Sequence, residues 1–164
     1  MQFVVFFFIS WLVIALYSVV NKKLNVIEST FIFLVVLIVS INFSWIVINE
    51  LHLITVSKQK LAYTGFLLNR SIIIPLLVLL AIDLTIKMNK PSHKVLVFIS
   101  LVSVLNGLSL LSTSLGVTDF KNWNLLYESI YFVCLGLIAL ASIRILNKIS
   151  KDVVKKNDAM GNLR

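Results

Sequence analysis

The residues of this chain that could do chemistry are few and scattered. Two histidines, His52 and His93, one cysteine, Cys134, and a row of serines sit in a sequence of 164 residues that is 59% hydrophobic. A shared zinc site needs three or four converging ligands. The two histidines fall in different segments between apolar runs, and Cys134 lies inside such a run. No H-E-x-x-H, C-x-x-C, G-x-S-x-G or phosphate-cradling glycine loop occurs. Ser109 follows "NGL", and no residue near it could act as its base. Isolated serines in membrane helices usually bond to their own backbone. These residues point to a protein with no catalytic role, no cofactor and no metal.

Charges near apolar runs carry more information, because each one costs several kcal/mol in lipid unless it is satisfied. Asp83 and Lys87 are spaced i, i+4 and can pair on one helix, or snorkel to the surface. Glu50, Arg70 and Glu128 fall at similar depth on the side assigned below as outer. Together they form either a buried network that closes the bundle top or lines a polar vestibule, or three solvated interfacial charges. The alternatives turn on where the third span begins. A start near Leu61 puts Arg70 well below the surface, whereas a start near Asn69 makes it an interfacial anchor. The polarity of "SKQKLAYT" favours the second.

Amides and small residues suggest packing. Asn42 and Asn106 lie mid-span on two spans that run in the same direction, so an Asn42–Asn106 bond is the simplest way to satisfy both. Ser100, Ser103, Asn106, Ser109 and Ser112 recur at every third residue. At 100° per residue a step of three drifts by about 60°, so the ladder winds round the helix and cannot line one pore wall. It divides into a close-packing pair, Ser103-x-x-x-Gly107, and serines that point elsewhere. Ser129, Gly136 and Ala139 offer a matching seam on the fifth span. Small or polar residues on several sides predict the fourth span as the central helix.

The elements that must position these residues follow from length and hydropathy. A bilayer core about 30 Å thick takes roughly 20 apolar residues as a helix. Five segments qualify, at residues 3–20, 30–49, 65–86, 95–115 and 125–146. Each must be helical, because an isolated strand would leave its backbone unpaired in lipid. The prediction is an all-α polytopic membrane bundle of five transmembrane helices, with a basic cytoplasmic tail at 147–164. The first span has no Lys or Arg before it and no A-x-A-like site after it, so it reads as a retained helix. The longest segment between spans, "LHLITVSKQKLAYT", alternates apolar and polar residues and is expected at the outer surface.

The net charge is +8. Its placement in short loops and the tail is that of a membrane protein, and no basic soluble domain is available for nucleic acid. Lys22, Lys23, Lys87, Lys90, Lys94, Arg144, Lys148, Lys151, Lys155, Lys156 and Arg164 fall on one side. Lys58, Lys60, Arg70 and Lys121 fall on the other. The cationic bias places the N-terminus outside and the C-terminus inside.

Three stretches together resemble a family of small multi-span membrane proteins of Gram-positive, often spore-forming, bacteria. They are "INELHLI" closing span two, "NRSIIIPLLVLLAID" with Pro75 in span three, and "FKNWN" opening span five. Where such proteins carry a Tyr-Pro pair after the first motif, this chain has "ITVSKQ". The resemblance implies a bacterial plasma-membrane protein, no catalytic residue and no established activity. The excess of Lys (12) over Arg (3) fits an AT-rich bacterial genome.

The expected function is that of a non-enzymatic scaffold or subunit of a membrane or envelope complex, with a connection to sporulation. Its partners would be the lipid bilayer and either further copies of itself or other membrane proteins. The alternatives are a small transporter or channel subunit acting as an oligomer, and a sensor whose outer loop around His52 binds a ligand.

Overall fold

The computed structural model describes residues 1–161, with side chains described through residue 149. Five helices are long and apolar enough to cross a membrane. They are α1 (Gln2–Val19), α2 (Val26–Glu50), α3 (Lys60–Lys87), α4 (Pro91–Ser114) and α5 (Leu125–Gly161). Two three-residue strands, β1 (Ile54–Val56) and β2 (Thr118–Phe120), complete the fold. The basic tail continues α5 as a helix to Gly161. The side chains of its lysines from Lys151 onward lie outside the described residues.

Local chemistry sets the helix ends. Helix α2 begins at Val26, four residues before the hydropathic span, because Asn25 and Glu28 form a reciprocal capping box. The Glu28 carboxylate accepts from the Asn25 N–H at 2.9 Å. Pro91 opens α4 at the first helical position, where its missing N–H costs nothing. Helix α3 begins at Lys60, not near residue 65 or Asn69, so "KLAYTGFLL" is helical. Its packing explains why: Ala62 and Gly65 are buried. Gly65 lies close enough to α1 that an added Cβ would sit 3.3 Å from the Phe6 ring. Tertiary contact with α1 overrides the polarity of the preceding residues.

The alternation in "LHLITVSKQK" becomes a strand. β1 pairs antiparallel with β2 in the register Ile54↔Phe120, Thr55↔Asp119, Val56↔Thr118. Chain reversals at His52 (φ 51°) and Gly116 (φ 66°) feed the two strands. The left-handed region suits glycine at the second site and is uncommon for histidine at the first. The ribbon lets the two longest inter-helix segments satisfy each other's backbone groups. It covers one end of the bundle, called here the ribbon end. The Gln2 side chain donates to the Leu115 carbonyl at 2.6 Å and ties α1 to that end.

Helix α3 is the central helix. It packs against α1, α2, α4 and α5. It also joins two apolar clusters. One holds Ile32, Val36, Val78, Leu79, Leu105, Phe132 and Leu135, and the other holds Phe6, Val13, Ala62 and Ile73. Helix α4, expected at the centre from its polar ladder, lies at the side. In a membrane, apolar residues serve equally against lipid and against core. The apolar circumference of α3 therefore gave no sign of its position.

Candidate functional site

Of the residues singled out in the sequence, the ladder of α4 is the most changed by the fold. Leu101, Leu105, Ser109 and Ser112 form its buried face. Ser103 is exposed, and an added Cβ on Gly107 would meet nothing within 4 Å. The ladder does divide into two faces, but Ser109 and Ser112 point inward while the Ser103–Gly107 pair faces away from the bundle. The seam between α4 and α5 is built differently. Phe98 sits over Gly136, where an added Cβ would lie 2.6 Å from the ring. Asn106 Nδ2 donates to Ser129 Oγ at 2.9 Å, and Ser109 Oγ donates to Glu128 Oε1 at 3.2 Å.

Asn106 therefore does not bond Asn42. The Asn42 amide donates to the Ile38 carbonyl of its own helix at 2.8 Å and is exposed. The buried face of α2 is Ser29, Ile32, Val36 and Ser40. Asn42, two residues beyond Ser40, is turned by about 200° from that face. Equal depth was legible in the sequence, but the rotation of α2 about its axis was not.

The expected charge cluster forms in part. Arg70 and Glu128 line one cavity of about 60 Å³ at the ribbon end, whereas Glu50 is exposed and is not among its lining residues. The reason is the break at Glu50. It ends α2, and the chain turns at His52, whose Nδ1 lies 3.2 Å from the Glu50 carbonyl. The cavity takes Phe43, Ser44 and Val47 from α2, Phe66, Asn69 and Arg70 from α3, and Ser109 and Ser112 from α4. Glu128, Tyr131 and Phe132 of α5 close the far wall, and the ribbon contributes Ile54, Thr118 and Phe120.

Two π-helical turns flank this cavity, Ile46–Glu50 at the end of α2 and Asn69–Ile73 within α3. A π-turn inserts a residue and re-aims those that follow. Here the turn in α3 contains Asn69 and Arg70 themselves.

Glu128 is held in place. Its Oε2 accepts from Trp123 Nε1 at 2.5 Å, beside the Ser109 bond. Arg70 is not held by any carboxylate. Its guanidinium lies over the Phe66 ring, 5.3 Å from the centroid, and its buried Nε has no hydrogen-bond partner. Asn69 Oδ1 and Tyr131 Oη are likewise buried without a partner. Tyr131 stacks on Phe43 with centroids 3.9 Å apart and interplanar angle 6°, which fixes the ring. Trp123 and Tyr131 carried no signal of their own in the sequence, since aromatic residues near span ends are ordinary anchors.

The opposite end of the bundle holds the other charged centre. Asp83 is buried, and its Oδ1 accepts from the N–H groups of Lys23 at 2.7 Å and Leu24 at 3.1 Å. Its Oδ2 pairs with Lys87 Nζ at 2.6 Å, the only ion pair among the described residues. Lys87 also donates to the Asn21 carbonyl. The i, i+4 pair is present, and it also pins the α1–α2 loop.

His52 and His93 lie at opposite ends, both exposed, and Cys134 is exposed on α5. Among the described residues no group of three His, Cys, Asp or Glu side chains could hold a metal ion. Comparison with protein families, characterised proteins and solved structures finds no match to this chain. The chemistry of the ribbon-end cavity therefore has to be argued from its own residues.

Proposed function

We propose that the chain is a multi-pass protein of the bacterial plasma membrane, N-terminus out and C-terminus in, which works as a non-enzymatic subunit or scaffold of a membrane or envelope complex. The observation that carries this reading is the outward placement of Asn42, Ser103 and Gly107. A mid-span amide facing lipid is unfavourable. A small-xxx-small pair facing outward leaves room for another helix to approach closely. Both features are accounted for if a second copy or another membrane protein covers these faces.

The cationic bias supports the orientation. The resemblance to small membrane proteins of spore-forming bacteria supports the bacterial membrane and a setting in the envelope of sporulating cells. Of the stretches behind that resemblance, 48–54 and 120–124 lie at the ribbon end, and 69–83 runs from that end to Asp83 at the other.

A photo-crosslinking amino acid at position 42, 103 or 107, in cells making the full chain, should give discrete adducts. The same probe at exposed Phe7 of α1 is the control and should give few. Equal yields at all four positions, or none, would reject the subunit reading.

A transport role is favoured by one observation, the charged cavity. Within the single chain the space beside it is filled by Leu105, Phe132 and Leu135, which are fully buried. Transport would need a path between copies, read as solute flux in liposomes containing only this protein.

A further inference from the structure

A guanidinium and a carboxylate share the ribbon-end cavity, inside helices long enough to cross a membrane, and do not pair with each other. In a low-dielectric setting opposite charges that line one cavity attract each other, and here they stay apart. Two features of the fold keep them so. Trp123 and Ser109 hold the Glu128 carboxylate on the α5 wall. The Phe66 face and the π-turn hold Arg70 on the α3 wall. Between them the cavity presents groups with unused hydrogen-bonding capacity. Arg70 Nε is an unused donor, Asn69 Oδ1 an unused acceptor, and Tyr131 Oη, with Ser40 beside it, can be either. Tyr131 is only 9% exposed, so bulk water does not satisfy it.

Charge balance narrows what fits. With Glu128 as the carboxylate, Arg70 and Glu128 together are neutral. A simple anion bound at Arg70 would leave an uncompensated negative charge in the cavity, and a simple cation at Glu128 would leave a positive one. A molecule that brings both charges leaves neither. Size narrows it further. A cavity of about 60 Å³ holds about four to six water-sized groups. That is a small amino acid whole, or the charged ends of an amino alcohol phosphate with part of its eight heavy atoms outside the cavity.

We propose that this cavity is a binding site for a compact zwitterion. Arg70 takes its oxyanion, Glu128 and Asn69 Oδ1 take its ammonium, and Tyr131 completes the shell. Two sources supply that chemistry: a free amino acid, and the headgroup of an aminophospholipid such as phosphatidylethanolamine. The site stands apart from the subunit reading, which concerns the outward faces of α2 and α4.

The test uses the full chain in phosphatidylglycerol nanodiscs with Trp11→Phe and Trp45→Phe, leaving Trp123 as the reporter because it bonds Glu128 directly. One arm titrates glycine. The other introduces phosphatidylethanolamine into the nanodiscs. A saturable change in Trp123 emission is expected in at least one arm, and the responding arm identifies the source. Acetate and ethylamine, each carrying one of the two charges, should bind at least about tenfold more weakly, a loss of one ordinary charged contact. Arg70→Gln and Glu128→Gln should each abolish saturation. Arg70→Gln should lower the ligand-free thermal midpoint less than Glu128→Gln does, since Arg70 has the Phe66 face but no hydrogen bond or ion pair to lose, whereas Glu128 loses its bonds to Trp123 and Ser109. No saturable response in either arm would overturn the proposal. So would acetate matching glycine. A ligand-free midpoint lowered equally by Arg70→Gln, Glu128→Gln and the double substitution would mean that the two charges satisfy each other, and would overturn it as well.

Discussion

The two charged centres of this bundle are built from similar parts and are used differently. At one end Asp83 meets Lys87 and the Lys23 and Leu24 N–H groups, so both of its oxygens are engaged. At the other end Glu128 is held by Trp123 and Ser109 while Arg70 faces the same cavity with its Nε unbonded. A charge whose partners all come from its own chain serves as a fastener between segments. A charge positioned by its neighbours but left unneutralised by them is prepared for something that the chain does not supply. Burial alone does not separate the two cases, and the partner inventory does.

The contrast is tested most severely at Asp83. Asp83→Ala removes the acceptor for two backbone N–H groups and leaves Lys87 without its carboxylate. Breaking such an arrangement should cost about 3 kcal/mol, read as a lowered unfolding midpoint in detergent. Asp83→Asn keeps one acceptor oxygen for the loop and should lose less than half as much. If the alanine variant is as stable as the parent, the two ends do not differ in kind.

A smaller effect tests the seam that positions Glu128. The Asn106–Ser129 bond joins α4 to α5 one residue along from the Ser109–Glu128 contact. A double-mutant cycle with Asn106→Leu and Ser129→Ala should show coupling of about 0.6–1.7 kcal/mol, the range for polar contacts between membrane helices. A cycle between Asn42 and Asn106 should show none, because Asn42 bonds its own helix. Coupling in the second cycle and not the first would require α2 to be rotated about its axis, and the cavity walls would be redrawn with it.

That pair of asparagines also shows where sequence reasoning reaches its limit. Hydropathy located five spans because lipid requires about 20 apolar residues regardless of packing. Charge spacing found the Asp83–Lys87 pair and offered Arg70 and Glu128 as neighbours, with Glu50 grouped beside them, where the fold does not put it. Rotation about each helix axis is another matter. In water a polar face turns outward and an apolar face inward, so the pattern reveals the orientation. In lipid both faces are apolar, and Ser103 and Gly107 look the same whether they face a neighbour or the bilayer. The start of α3 was hidden for a related reason. Gly65 and Ala62 belong to a contact with α1 that no local window contains. The alternation in "LITVSKQ" did carry its strand, but the partner strand lay more than 60 residues away.

The smallest expected effect is the most discriminating. Tyr131 is buried, stacked on Phe43, and its hydroxyl, beside that of Ser40, makes no well-formed hydrogen bond. If the cavity existed only to hold the bundle together, an unbonded hydroxyl there would be a defect, and Tyr131→Phe would relieve a desolvation penalty of about 1–3 kcal/mol. If water fills the cavity and bonds the hydroxyl, removal should cost about 1 kcal/mol, the net value of an ordinary hydrogen bond. A site shaped for an absent ligand lies between these, because its water is loosely held and easily displaced. The ligand-free midpoint should therefore move by less than about 0.5 kcal/mol equivalent, within the range of changes that disturb no packing. The same substitution should weaken zwitterion binding by about threefold to tenfold, the loss of one hydrogen bond. Asp83→Asn should show the reverse, a lowered midpoint with binding intact. A Tyr131→Phe variant that changes stability and binding together, or neither, would mean that the ribbon end is a fastener of the same kind as the Asp83 end.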